Sequence, residues 1–152
     1  HFSAYSQIPE AKIVAVADLN QEAAGRAAQE YGIETVYSDF RELLARPDID
    51  AVDVCLHNNL HAPVTIEALR AGKNVYCEKP MAGCYADAAK MLETAKKTGK
   101  KLHIQLAMIY DPASRATKEL IVAGELGTIY HARSTGFRRR GRGCRRIDAL
   151  VE

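Results

Sequence analysis

Val75-Tyr76-Cys77-Glu78-Lys79-Pro80-Met81-Ala82 is the stretch that decides the fold of this chain. Val75–Cys77 reads as a short apolar strand, and Glu78-Lys79-Pro80 ends it. A helical pattern follows over Tyr85–Thr98, with Ala86, Ala89, Met91, Leu92 and Ala95 near helical spacing and Gly99 as its stop. In an open α/β sheet, ligands bind beyond the carboxyl ends of the strands. A lysine at that point can therefore face a ligand.

Working outward in both directions, strand and helix patterns alternate, which argues for βαβ units and a parallel sheet. Lys12–Ala17 is a β-branched apolar run that predicts a strand ended by Asp18. Asn20 is placed to cap a helix over Gln21–Tyr31, closed by Gly32. Thr35–Tyr37 predicts a strand, and Phe40–Ala45 a helix capped by Ser38 or Asp39 and stopped by Pro47. Ala51–Leu56 predicts the next strand, followed by a polar loop, His57-Asn58-Asn59-Leu60-His61. Pro63 fits the first turn of a helix running to Ala71 and ending at Gly72. Beyond Gly99, the pattern predicts a strand over Lys101–Met108, a helix over Ala113–Ala123 and a last strand over Thr128–Ser134.

Bulk properties are those of a soluble globular chain: 152 residues, 47% hydrophobic and 26% charged, with a net charge of +2. No apolar run approaches the ~20 residues needed to span a bilayer, and His1-Phe2-Ser3-Ala4-Tyr5 lacks the features of a signal peptide. No membrane partner and a cytoplasmic location are the expectations. Cys55, Cys77, Cys84 and Cys144 form no C-x-x-C pair and no zinc-finger spacing. The expectation is a reduced protein without metal.

Asp18 is the first candidate for chemistry. An acid at this strand end in a dinucleotide fold accepts hydrogen bonds from the ribose 2′-hydroxyl and repels a 2′-phosphate. That favours NAD, with NADP left open because Asn20 and Arg26 could soften the preference; a plain turn or cap residue is the competing reading. The loop from His57 to His61 stands where a nucleotide would lie, although Asn and His also satisfy backbone groups in loops. Glu78-Lys79-Pro80 is the sharpest signal. Lys79 could bond a ribose or substrate oxygen and place charge where an alkoxide forms, against the alternative of a surface ion pair of little energy. His103 and His131 sit inside strand patterns and read as structural.

From Arg133 to Arg146 the chain carries seven arginines and no acid. Charge of this kind can track phosphate, but only Phe137 offers a stacking ring, so nucleic-acid binding is disfavoured.

These residues together resemble the glucose–fructose oxidoreductase/inositol dehydrogenase/MocA (Gfo/Idh/MocA) family of NAD(P)-dependent oxidoreductases, roughly from Phe2 to Arg142. Glu78-Lys79-Pro80 matches the family's signature, and Asn58-Asn59-Leu60-His61 resembles its Asn-x-x-His loop. Asp18 stands at its ribose-binding acid, and Gln105 falls near a position lining the same pocket. The resemblance implies that Asp18, Asn58, His61, Glu78, Lys79 and Gln105 contact the cofactor, with Lys79 also catalytic and Glu78 orienting it. It further implies NAD as cofactor, a sugar, cyclitol or related polyol as substrate, and homo-oligomers among longer relatives.

The implied fold is an α/β, Rossmann-type doubly wound parallel sheet lacking its first, central strand, with only the start of a second α+β domain. Residues 1–127 would form the dinucleotide-binding domain and 128–152 the beginning of a substrate domain with a divergent tail. No G-x-G-x-x-G occurs in the chain; in the family it would precede His1. The expectation is a fragment, truncated at both ends and inactive alone. A non-catalytic nucleotide-binding or regulatory module is the alternative reading, and a basic-tailed nucleic-acid binder the third.

Overall fold

The computed structural model describes residues 1–133. The arginine cluster from Arg138 to Arg146, Cys144 and the predicted strand end at Ser134 lie outside the described residues. The chain divides into two compact units, the first over His1–Ala107 and the second from Met108 onward.

The first unit alternates strands and helices. After a short α1 (Phe2–Tyr5) come β1 (Ala15–Ala17), α2 (Gln21–Tyr31), β2 (Thr35–Tyr37), α3 (Phe40–Leu44), β3 (Ala51–Val54), α4 (Asn58–Arg70), β4 (Asn74–Cys77), α5 (Tyr85–Thr98) and β5 (Leu102–Ile104). Every strand pairing is parallel: Val16 lies opposite Val36, Asp53 opposite Tyr76, and Tyr76 opposite His103. The strands form two sheets, β1-β2 and β3-β4-β5. Among the described residues no strand joins β1 to β3. This is the division a Rossmann order without its central strand produces.

Local chemistry explains the elements. The Asn20 side chain accepts from Ala23 N at 3.0 Å, and Gly32 closes α2 in the left-handed region with φ 66°. Asp39 caps α3 through Arg41 N at 2.9 Å. α5 has the predicted limits and ends on Gly99 at φ 67°. One core serves both sheets, with Leu69, Met91 and Cys77 fully buried and Leu43, Leu44, Val54 and Val75 around them. Fully burying a side chain such as Leu69 contributes about 1.5–3 kcal/mol.

Three predicted boundaries are corrected. The residues read as a loop from Asn58 to His61 are the first turn of α4, so Pro63 lies inside the helix. The cost of an interior proline, about 3 kcal/mol, is offset by burial of His61, Ala62, Val64, Thr65, Ala68 and Leu69. The strand expected to reach Met108 stops at Ile104, and a 3-10 helix occupies Ala107–Ile109. β1 begins at Ala15 rather than Lys12 because Ala15 is the first residue with a partner in β2.

The second unit holds α6 (Pro112–Val122), capped by Asp111, whose carboxylate accepts from Ser114 N at 2.8 Å. The strand predicted from Thr128 is not formed over Thr128–Arg133, whose residues are exposed and have no ladder partner.

Candidate functional site

Parallel strands bring their carboxyl ends to one edge, and five sequence-predicted residues stand there. Asp18 follows β1 directly. Its N–H donates to Tyr37 O at 3.2 Å, and its Oδ1 accepts from Asn20 N at 2.8 Å. The side chain is exposed, so the carboxylate keeps accepting capacity toward solvent. Asn58 follows β3, exposed, as the first residue of α4. Glu78 and Lys79 follow β4, and Gln105 follows β5, half-buried, with its N–H donating to Cys77 O at 2.8 Å.

The turn after β4 is held from several directions. Glu78 N donates to Val54 O at 3.0 Å, and Glu78 Oε2 accepts from Lys79 N at 3.0 Å. Glu78 thus orients the backbone of Lys79, while the Lys79 side chain is exposed and in no ion pair with a described residue. The Lys79–Pro80 peptide bond is cis.

His61, expected to contact a cofactor, is 1% exposed. Its Nδ1 stands 2.6 Å from Pro80 O and its Nε2 3.0 Å from Leu56 O. The ring therefore clips the turn after β4 to the end of β3, and presents neither nitrogen at the surface. Its place inside the first turn of α4 is what turns it inward.

A second group of polar residues adjoins this turn, and the sequence did not announce it. His1 Nδ1 lies 2.7 Å from Asp53 Oδ2 and 3.1 Å from Cys55 Sγ, while its Nε2 lies 3.0 Å from Glu78 Oε1. Burial raises the Asp53 carboxyl above its ordinary range. Burial, and then the neighbouring Asp53 charge, push the Cys55 thiol up to about 12. His1 is more than 50 positions from Asp53 and Cys55 in the chain, so no spacing rule finds the group. His103, read as structural, stacks on Tyr76 with ring centroids 5.0 Å apart.

Comparison with known proteins places this geometry. A family model described as "Oxidoreductase family, NAD-binding Rossmann fold" matches residues 1–106. The uncharacterized oxidoreductase YrbE of Bacillus subtilis is 34% identical over 128 residues, covering 84% of this chain and 38% of that protein. The inositol 2-dehydrogenase of Gluconacetobacter diazotrophicus is 37% identical over 120 residues, covering 78% of this chain and 36% of the relative. Among solved structures, the 3-ketoreductase KijD10 of Actinomadura kijaniata, in complex with NADP and TDP-benzene, superposes with a TM-score of 0.74. It is 31% identical, covering 81% of this chain and 38% of that one. An NAD binding oxidoreductase from Klebsiella pneumoniae gives a TM-score of 0.73 at 36% identity, over 83% of this chain and 34% of the other. The chain thus spans little more than a third of the length of the curated relatives it matches. No helix among the described residues is long and apolar enough to cross a membrane.

Proposed function

The chain belongs to the Gfo/Idh/MocA oxidoreductase family, with its NAD-binding Rossmann fold, and from that premise we propose that it is the cofactor-binding part of a dehydrogenase acting on a sugar, cyclitol or related polyol. The observation that carries the reading is the parallel register. It sets Asp18, Asn58, Glu78-Lys79 and Gln105 at the carboxyl ends of β1, β3, β4 and β5, where such sheets hold dinucleotides.

The residues present suit a nicotinamide dinucleotide. Asp18 offers an exposed carboxylate to a ribose diol, and its charge disfavours a 2′-phosphate, so NAD is the preferred cofactor. Asn58 supplies an amide at the start of α4. When bound, the dinucleotide supplies a nicotinamide ring that accepts or donates hydride. Lys79 places an ammonium beside the alcohol or carbonyl oxygen, stabilising negative charge that develops there. Glu78 fixes the backbone of Lys79. His61 positions the turn from beneath. Residues 1–127 make up the nucleotide-binding domain in this reading, and 128–152 open a substrate domain.

The test is expression of the chain with its flanking coding sequence, followed by NAD-dependent oxidation of a panel of cyclitols and sugars. Turnover with at least one of them is expected, and Lys79→Ala should lower kcat about 10²–10³-fold. Tight nicotinamide binding without turnover on any of them would replace the enzyme reading with that of a binding module.

A further inference from the structure

We propose that His1, Asp53 and Cys55 form a binding site for a zinc-class divalent cation, buttressed by Glu78. Asp53 lies in β3 and Cys55 just beyond it, two residues on, so the period of a strand turns both side chains to one face. The His1 ring comes down on them from the segment before α1. One nitrogen, one carboxylate oxygen and one sulfur then lie within 4.8 Å of one another. The separations are 2.7 Å from Nδ1 to Asp53 Oδ2, 3.1 Å from Nδ1 to Cys55 Sγ, and 3.4 Å from Sγ to Asp53 Oδ1.

The donor set selects the ion. A mixed imidazole, thiolate and carboxylate set suits zinc in tetrahedral geometry and does not suit the all-oxygen shells of calcium or magnesium. The other face of the imidazole completes the arrangement. Glu78 Oε1 lies 3.0 Å from Nε2, the position from which a carboxylate takes the ring's remaining proton and leaves Nδ1 bare for a metal. In that tautomer, lone pairs of Nδ1 and of Asp53 converge on one point, which requires a positive centre between them. A proton fills that role without metal, and a cation replaces it. Bond lengths of about 2.0–2.3 Å place tetrahedral ligands about 3.3–3.6 Å apart, so Nδ1 has to draw back by about half an ångström from Asp53 and Cys55. The His1 and Asp53 side chains are 29% and 21% exposed, which leaves an entry path and a fourth position for water. The proposal stands on this cluster alone and does not depend on the role given to Lys79.

The test uses the chain produced with a residue ahead of His1, so that only the ring can ligate, and stripped of metal. It is titrated with Zn²⁺ against a chromophoric chelator and, separately, with Co²⁺. One equivalent should bind, and the cobalt form should show a thiolate charge-transfer band with the strong visible absorption of tetrahedral Co²⁺. Cys55→Ser should abolish the band, and Glu78→Gln should weaken Zn²⁺ binding about 10-fold or more. Cys84→Ser and Cys144→Ser should leave both unchanged. Circular dichroism of Cys55→Ser separates loss of the site from loss of the fold, and Asp53→Asn supplies a second ligand variant. A weak octahedral cobalt spectrum, or a charge-transfer band that follows Cys84 or Cys144 instead, overturns the assignment.

Discussion

His61 Nδ1 stands 2.6 Å from the carbonyl oxygen of Pro80, and this ring joins the first turn of α4 to the turn that carries Lys79. The imidazole is almost wholly buried between Pro80 O and Leu56 O, so truncating it removes the ring's N–H donor and leaves a cavity. His61→Ala should destabilise the first unit by about 3 kcal/mol, from the lost hydrogen bond and the cavity together. Chemical denaturation measures it. A change within about 0.5 kcal/mol, the range of an ordinary surface substitution, would mean the ring does not hold the turn.

Lys79 and Glu78 separate by kinetics. Lys79 points its charge outward from a turn whose backbone Glu78 fixes at 3.0 Å. In the proposed function, Lys79 supplies charge to the transition state, so Lys79→Ala should lower kcat with little change in cofactor affinity. Glu78→Gln keeps an acceptor for Lys79 N and should lower kcat by less than Lys79→Ala does. Equal losses from both variants in the flank-extended protein would show that Glu78 does more than orient its neighbour.

In the proposed function, Asp18 sets the cofactor preference through charge. Its Oδ1 already serves Asn20 N, so Asp18→Ser keeps a short polar side chain at the turn while removing the repulsion of a 2′-phosphate. The ratio of NAD to NADP efficiency should fall roughly tenfold, equivalent to about 1.4 kcal/mol. An unchanged ratio would assign the preference to another residue, with Arg26, already paired with Glu22 across α2, as the next to vary.

How much of this was legible in the sequence depended on how local the deciding physics was. α2 could be read to the residue because cap, period and terminal glycine agree, and α5 because its period and terminal glycine do. The start of α4 could not: His57, Asn58 and Asn59 are weak helix formers, Pro63 mimics a first turn, and only the tertiary burial of His61 and Ala62 decides the matter. The strand composition of Lys101–Met108 overran the real strand because a run of apolar residues does not record where its partner ends. Asp18, Asn58 and Lys79 were legible as residues beyond strand ends, since parallel pairing alone brings strand ends together, whereas Gln105 was expected inside a strand reaching Met108 and stands just past its end at Ile104. The inward turn of His61 and the meeting of His1 with Asp53 and Cys55 were not, because both depend on contacts between distant segments.

Acid sensitivity follows from the surface ion pairs. Arg46 holds the Asp48 carboxyl below the ordinary carboxylate range, through contacts of 2.9 and 2.6 Å. Lys97 does the same for Glu93 at 2.8 Å. A carboxylate whose pKa is depressed by folding contributes stability that is present above its unfolded pKa and is lost as pH falls through the folded one. Asp48→Asn should therefore lower Tm at neutral pH, and the difference from wild type should shrink as the pH drops through and below the carboxylate range. A Tm difference that stays constant across that range would show that the substitution acts through packing rather than charge.

Thr65 tests the core from the opposite direction. It is wholly buried on α4, and its hydroxyl oxygen has no hydrogen-bond partner by geometry among the described residues. A polar neighbour is the Cys77 thiol, a weak partner that itself donates to Glu78 O at 3.4 Å. A buried hydroxyl without a good partner costs about 1–3 kcal/mol. Valine has nearly the same shape and no such cost. Thr65→Val should raise stability by about 1 kcal/mol, read as a higher denaturation midpoint with an unchanged slope. Destabilisation of the same size would show that the Thr65–Cys77 contact is a genuine hydrogen bond, and that it helps hold β4 beneath the Glu78-Lys79 turn.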